Sequence, residues 1–156
     1  MAQLSDSIER FIKDMMEDGA QIEVRRNELA QHFGCAPSQI NYVLATRFSV
    51  DHGYIIESRR GGGGYIRIVR MGVNSPETLL SALLQRIGNS IDEDSAVAII
   101  QNLLDRRLVT LNEARIMRAA VAKNALALPV SAKDVLRASV LSGMMRQVFQ
   151  NAEEGK

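Results

Sequence analysis

Residues 54–70 of the chain, YIIESRRGGGGYIRIVR, contain two short runs of β-branched and aromatic residues separated by glycines. Apolar and polar residues alternate clearly in the second run, residues 65–70, with the period of a half-buried strand. The intervening segment, Arg59-Arg60-Gly61-Gly62-Gly63-Gly64, carries two charges and very little side-chain bulk. The stretch therefore predicts an antiparallel β-hairpin with a basic, glycine-rich tip.

Helical patterns precede this hairpin. Apolar residues recur at helical spacing over residues 4–16, which predicts a first helix. A second helix is expected to begin at Asn27, a good capping residue, and to end before Gly34. Pro37, which is tolerated at the first helical position, opens a third helix that runs to Phe48. The apolar residues assigned to the first and third helices are Leu4, Ile8, Phe11, Ile12, Met15, Met16, Ile40, Val43 and Leu44.

The second half of the chain has helical patterns throughout. Residues 71–76 combine Gly, Asn and Pro, so the predicted domains are residues 1–72 and 73–156. Four helices are expected, beginning after Ser75, after Asp94-Ser95, at the Thr110–Glu113 capping box and after Ser131. Their apolar faces, which include Ile116 and Val135, are wide enough to favour self-association. The predicted fold class is mainly α with a small antiparallel β-hairpin: a helix, a helix–turn–helix and the hairpin, followed by a four-helix-type unit.

Charge is nearly balanced overall but not locally. The chain has 19 Lys and Arg against 18 Asp and Glu, which excludes a uniformly basic surface. Residues 25–70, however, contain seven arginines and three acids, whereas residues 1–21 carry a net charge of −3. No stretch is apolar enough to span a bilayer or to act as a signal peptide. With one cysteine, a reducing, cytosolic location is expected, and no membrane partner is predicted.

Catalytic and cofactor sites are poorly supported. The candidate nucleophile and base are Cys35 and His32, which flank the Gly34 turn, but no orienting third group is evident. A small buried cysteine is the commoner role. Metal-ligand spacings are absent, and the glycine run is not followed by the Lys-Ser/Thr of a phosphate-binding loop. We therefore expect no enzyme activity, no metal and no cofactor.

The third helix has the chemistry expected of a DNA recognition helix. Amide side chains can bond adenine, Arg can bond guanine, and hydroxyl groups suit phosphates. The residues assigned to this role are Ser38, Gln39, Asn41, Tyr42, Thr46 and Arg47. An ordinary solvated polar face is the alternative interpretation of this helix alone.

The hairpin adds a candidate minor-groove contact. A narrow minor groove attracts inserted Arg, and glycines allow the backbone to approach the phosphates closely. An exposed loop without function is the alternative. The residues assigned to DNA binding here are Arg26, Arg59, Arg60, Gly61, Gly62, Gly63, Gly64, Tyr65 and Arg67, with Tyr65 and Arg67 on one strand face.

Three strings resemble a known family: CAPSQINYV at 35–43, TRF at 46–48 and GYIIESRRGGGGYIRI at 53–68. They are similar to the class III stress-gene repressor (CtsR) family of low-GC Gram-positive bacteria. The similarity is dense from about Arg25 to Arg70 and looser beyond. The RGGGGYIRI string is specific, whereas the helix–turn–helix alone would not identify a family.

The resemblance implies an N-terminal winged helix–turn–helix DNA-binding domain, residues 1–72, and a helical C-terminal dimerisation domain, residues 73–156. It implies a dimeric repressor of chaperone and Clp protease genes that binds tandem repeats in double-stranded operator DNA. It implies that Arg60 enters the minor groove and that heat stress releases the DNA. It also implies two further partners, a protein-arginine kinase, with Arg60 as the candidate phosphorylation site, and a Clp ATPase/protease.

Two alternative functions remain open on the sequence alone. The glycine-rich hairpin could dock a protein or an RNA, in which case the chain is an interaction module. The methionine-rich helix faces could instead form the pocket of a ligand-gated regulator, although such methionines are more often core residues.

Overall fold

The structure, a computed structural model, describes residues 2–17, 19–58, 65–126 and 129–150. The predicted hairpin tip, Arg59–Gly64, lies outside the described residues. Within them the chain forms seven α-helices, one turn of 3-10 helix and three strands. Their bounds are α1 (Ala2–Met15), β1 (Gln21–Arg25), α2 (Arg26–Phe33), α3 (Pro37–Arg47), the 3-10 turn (Val50–His52), β2 (Tyr54–Ser58), β3 (Tyr65–Arg70), α4 (Pro76–Ile87), α5 (Glu93–Asp105), α6 (Leu111–Val121) and α7 (Val130–Gln150).

These elements group into two compact units. The first contains the described parts of Met1–Ser49 and Tyr54–Val73, and the second those of Val50–Gly53 and Asn74–Lys156. The 3-10 turn therefore belongs to the second unit, although elements of the first unit flank it in the sequence. None of the described helices combines the length and apolarity needed to cross a bilayer.

The sheet of the first unit has a strand that the sequence patterns did not predict. The hairpin β2–β3 is present, but β1 pairs antiparallel with β3, so the order is β1-β3-β2. Val24 lies opposite Ile66 in β3, and Ile56 lies opposite Ile68. Ile66 and Ile68 are fully buried, whereas Tyr65 and Arg67 lie on the other face as predicted. The predicted two-stranded hairpin is thus a three-stranded antiparallel sheet.

Helices α1, α2 and α3 pack with the inner face of this sheet around one core. Its fully buried members include Ile8, Ile12, Ile40 and Phe48. Gly34 ends α2 in the left-handed conformation at φ 63°, which is the geometry that glycine favours. One detail of the prediction is wrong. Helix α2 begins at Arg26 rather than Asn27, because the extended β1 residue Arg25 precedes it directly. Met15 lies in α1 as predicted and is 47% exposed.

The second unit is helical. Helix α4 packs on α7, α5 on α6, and α6 on α7. The predicted capping box is confirmed: Thr110 Oγ1 accepts from Glu113 N at 3.1 Å, and Thr110 N donates to Glu113 Oε1 at 2.7 Å. Asp92, rather than Asp94-Ser95, caps α5, because its carboxylate accepts from Ser95 N at 3.1 Å. Ile116 and Val135, predicted as apolar-face residues, are 67% and 55% exposed in the single chain.

Candidate nucleic-acid interface

Helix α3 has one buried face and one exposed face. Ile40, Val43 and Leu44 point into the core. Exposed polar residues lie between them at helical spacing, and the large side chain of Tyr42 is 62% exposed. The exposed members of the predicted site on this helix are Ser38, Asn41, Tyr42 and Thr46. These four side chains share a surface, as a recognition helix requires.

Two predicted site residues on α3 also make local hydrogen bonds. Gln39 Oε1 accepts from Ala36 N at 3.2 Å, which closes the first turn of the helix. Thr46 Oγ1 donates to Tyr42 O at 2.7 Å, one turn back. The Gln39 side chain is therefore bound through its oxygen, and its amide group is the part suited to donate to a ligand.

Arg47 has acidic partners that the sequence patterns did not predict. Its Nη1 lies 2.5 Å from Glu9 Oε1 and 3.0 Å from Asp6 Oδ1, both on α1. Glu9 Oε2 lies 2.6 Å from Lys13 Nζ. Hydrogen bonding from Lys13 and then from Arg47 lowers the pKa of Glu9, although burial opposes this. The hydrogen bonds that Arg47 donates to Glu9 and Asp6 raise the pKa of Arg47, so the cation stays charged while held by two carboxylates.

A groove of about 360 Å³ runs between α1 and α3. Its lining is mixed, with apolar residues of α1 on one side and predicted recognition residues on the other. The lining residues are Leu4, Ser5, Ile8, Ser38, Gln39, Tyr42, Val43 and Arg47. Helix α1 therefore borders the predicted recognition surface directly.

Arg67, at the centre of the outer sheet face, is held by its neighbours. Its Nε donates to Gln21 Oε1 at 3.0 Å, and its Nη2 donates to the same oxygen. Its Nη1 lies 3.6 Å from Glu57 Oε2, and the ladder places Glu23 opposite Arg67 on the other side. Arg67 thus links all three strands.

The end of the sheet next to the hairpin tip holds an arginine–aromatic pair. Arg25 lies opposite Tyr65 in the ladder, and its guanidinium carbon is 4.9 Å from the centre of the Tyr65 ring. That distance is typical of a cation–π contact. Arg26, the predicted site residue that follows, begins α2 and is half-buried.

The side chains of the candidate cysteine–histidine pair, Cys35 and His32, pack against apolar and aromatic neighbours. The His32 ring lies 4.9 Å from the Phe11 ring and 5.0 Å from the Phe33 ring, and Cys35 packs against the same core. Among the residues with described positions, no group of three or more His, Cys, Asp or Glu side chains could hold a metal.

Family models match both halves of the chain. Residues 3–72 match the CtsR N-terminal HTH domain, and residues 75–146 match the CtsR C-terminal dimerization domain. The chain belongs to the CtsR family. The family resemblance drawn from the sequence is therefore confirmed, and so is the predicted fold class of a helix–turn–helix domain followed by a helical dimerisation domain.

CtsR proteins of known identity align over nearly the full chain. The transcriptional regulator CtsR of Staphylococcus haemolyticus is 42% identical over 147 residues, which cover 93% of this chain and 96% of the relative. The CtsR of Staphylococcus aureus strain USA300 is 41% identical over the same length and shares of both chains. A crystal structure of CtsR in complex with a 26 bp DNA duplex is 38% identical, covers 93% of this chain and 97% of that chain, and has a TM-score of 0.61.

Sequence reasoning missed two features of this CtsR-family surface. One is the set of carboxylates on α1 that hold Arg47, because net charge alone does not say which acid pairs with which base. The other is Arg25, which belongs to the basic segment but was not predicted as a site residue. The alternation in Gln21-Ile22-Glu23-Val24-Arg25 is the signal that could have identified β1 and, with it, the position of Arg25.

Proposed function

We propose that this chain is a DNA-binding transcriptional repressor of stress-response genes that acts as a homodimer in the cytosol. The observation that carries the proposal is the exposed polar face of α3, opposite a fully packed core, in a chain 38% identical to a CtsR crystallised with duplex DNA. Relatives named as transcriptional regulators and the match to a dimerization domain support the same function.

Helix α3 supplies the sequence readout in this proposal. Asn41 bonds a base edge, while Ser38, Tyr42 and Thr46 contact phosphates or nearby bases of the major groove. Gln39 uses its amide group, since its oxygen caps the helix. Arg47 exchanges its carboxylate partners for a phosphate or a guanine, so part of its binding energy is spent on leaving Asp6 and Glu9.

The hairpin supplies the minor-groove contact. Arg59 and Arg60 insert at the tip, and the residues from Gly61 to Gly64 allow the backbone to approach the groove walls. The base of the hairpin adds Tyr65 and Arg67, and Arg26 extends the basic surface. Arg67 acts mainly by holding the strands together, because Gln21 and Glu57 already bind its guanidinium.

Dimerisation through residues 73–156 presents two such heads to tandem operator repeats. By family resemblance the targets are chaperone and Clp protease genes, and heat stress releases the repressor. The same resemblance supports a protein-arginine kinase that modifies Arg60 and a Clp ATPase/protease as partners. Modification of Arg60 would replace a cation in the minor groove with a phosphate anion, which the DNA repels.

A selection from a pool of random duplexes tests the proposal and defines the operator in the same experiment. We expect enrichment of A/T-rich duplexes with two repeats, bound by a dimer. Gel-shift titration of the enriched duplex with Arg60→Ala should then show a loss of about 1–3 kcal/mol in binding free energy. No enrichment of duplex DNA, or preferential binding of RNA in competition, would overturn the repressor function in favour of an interaction module.

A further inference from the structure

An exposed cation, Arg25, lies at the strand end nearest the predicted hairpin tip. The function proposed above for the recognition helix and the tip gives this residue no role. Arg25 is the last residue of β1, and its side chain is 51% exposed. Its ladder partner Tyr65 directly follows Gly64 in the chain. Arg25 therefore lies at the root of the hairpin, on the outer face of the sheet.

The two arginines on this face are in different states. Arg67 is bound to Gln21 and Glu57. Among the described residues, the carboxylate neighbour of Arg25 is Glu28, at 3.9 Å, and the Glu28 side chain is 72% exposed. Such a long, solvated pair contributes little, so Glu28 would compete weakly with another anion.

The contact with Tyr65 fixes Arg25 without consuming its hydrogen-bond donors. Stacking uses the face of the guanidinium, whereas its N–H groups point along the edge. A guanidinium held on a ring also loses less side-chain entropy when it binds. A stacked, half-exposed Arg with a weak acidic neighbour has the properties of a phosphate-binding group.

We propose that Arg25, positioned by the Tyr65 ring, binds a backbone phosphate of the DNA beside the groove that the hairpin enters. This inference rests on the proposed function, which it deepens by adding a contact that positions the hairpin and reads no base. Arg25 lies outside α3, and its predicted effect is on affinity and salt dependence and not on sequence preference.

Salt dependence of binding to the duplex enriched by the wild-type protein tests the assignment. We expect Arg25→Ala to reduce the slope of log affinity against log salt by about two units, one for each subunit of the bound dimer. From ~50 to ~200 mM salt the wild-type dimer should then lose about 12- to 16-fold more affinity than the variant. Arg10→Ala, which removes an exposed Arg of α1, is the charge-matched control and should retain the wild-type slope.

Substitutions at Tyr65 separate stacking from direct contact. Tyr65→Phe keeps the ring and should keep the wild-type salt slope, whatever its hydroxyl contributes to affinity, whereas Tyr65→Leu should reduce the slope as Arg25→Ala does. Thermal unfolding of each variant establishes that the sheet is intact. If Arg25→Ala keeps the wild-type affinity and salt slope, or if Tyr65→Phe reduces the slope as much as Tyr65→Leu, the Arg25 assignment is overturned. A wild-type chain that binds no duplex would instead overturn the proposed function.

Discussion

The Nη1 atom of Arg47 lies 2.5 Å from Oε1 of Glu9, which joins the end of the proposed recognition helix to the acidic helix α1. Asp6 contacts the same nitrogen at 3.0 Å. A DNA ligand that uses Arg47 must therefore displace two carboxylates. The chain has nearly equal numbers of basic and acidic residues, 19 and 18. Within the proposed interface the same balance holds locally, because Asp6 and Glu9 neutralise the charge of Arg47.

Removing the Glu9 charge should strengthen DNA binding. In Glu9→Gln, Arg47 loses one anionic partner, and an exposed or half-exposed ion pair contributes about 0.2–1 kcal/mol. We expect an affinity gain of roughly 1.4- to 5-fold in a gel-shift titration. Glu17→Gln, which removes the same charge beyond the end of α1, is the control and should give a smaller gain. Equal gains in the two variants would show that net charge, and not the Arg47 contact, limits binding.

The same pair should make stability depend on pH at the acidic end. Hydrogen bonds from Lys13 and Arg47 lower the pKa of Glu9 in the folded chain below the ordinary value of 4.5 for a Glu side chain, which we take for the unfolded chain. Below pH 4.5 the unfolded chain therefore takes up the proton first, and stability falls as the pH falls. Denaturant unfolding of Glu9→Gln should show a shallower decline over this range. A parallel decline in the two proteins would argue against a contribution from Glu9.

Gly53, which follows the 3-10 turn, should not tolerate a side chain. Its φ is +89°, and an added Cβ would lie 2.7 Å from Asn102 Oδ1 and 3.1 Å from Arg106 Nη2. Asn102 is itself fixed, because its Nδ2 donates to Asp51 O at 2.5 Å and to Ala98 O at 3.0 Å. We expect Gly53→Ala to destabilise the protein by about 1–3 kcal/mol.

A second glycine provides the matched control. Gly143 lies within α7, and an added Cβ would meet nothing within 4 Å. Gly143→Ala should stabilise the helix by about 0.5–1 kcal/mol. Opposite signs in thermal unfolding would confirm that Gly53 is required by its geometry, whereas equal effects would refute it.

Local periodicity explains why α3 and the hairpin could be predicted. Pro37, the Ile40–Leu44 stripe and the alternation in 65–70 each report on a single element. Strand β1 was missed because its alternation spans only five residues, and so short a pattern becomes decisive only when the partner strand β3 is known. The Arg47–Glu9 contact joins residues 38 positions apart, which no local rule can reveal. Ile116 and Val135 were predicted as apolar-face residues, and both are exposed in the single chain. Periodicity predicts which face of a helix is apolar, but it does not predict whether the rest of the same chain covers that face.

A buried arginine holds the second unit together. Arg137 on α7 is 2% exposed, and it donates from Nε to Val121 O at 2.6 Å and from Nη1 to Ile91 O at 3.1 Å. Its Nη1 also donates to Asp134 Oδ1 at 2.6 Å. Arg137→Met keeps much of the volume but leaves these acceptors without a donor, which should cost about 2–4 kcal/mol.

The corresponding drop in melting temperature is roughly 5–15 °C for a chain of this size. Arg146→Met, at an exposed position of the same helix, is the control and should melt within ~2 °C of the wild type. Equal melting temperatures for the two variants would show that Arg137 is dispensable for folding.

The heat release of DNA proposed above should require more than the entropy of ordering the predicted glycine-rich tip. Ordering four glycines costs about 4–8 kcal/mol, and a rise of ~15 K enlarges this by only ~5%. Two tips in a dimer then weaken binding by only about two- to fourfold. We infer that release is cooperative and begins when the hairpin loses its packing against the core of the first unit. Ile68 of the hairpin is fully buried in that core.

Two substitutions separate these mechanisms. Ile68→Val removes a buried methylene, at a cost of about 0.5–1.5 kcal/mol, and should lower the temperature of DNA release. Gly62→Ala restricts the tip and should alter the temperature dependence of affinity if the hairpin is the sensor. Gel-shift titrations over a temperature series measure both. An unchanged release temperature in Ile68→Val, with unchanged temperature dependence in Gly62→Ala, would exclude the hairpin as the heat sensor, because neither its packing nor its tip would then control binding.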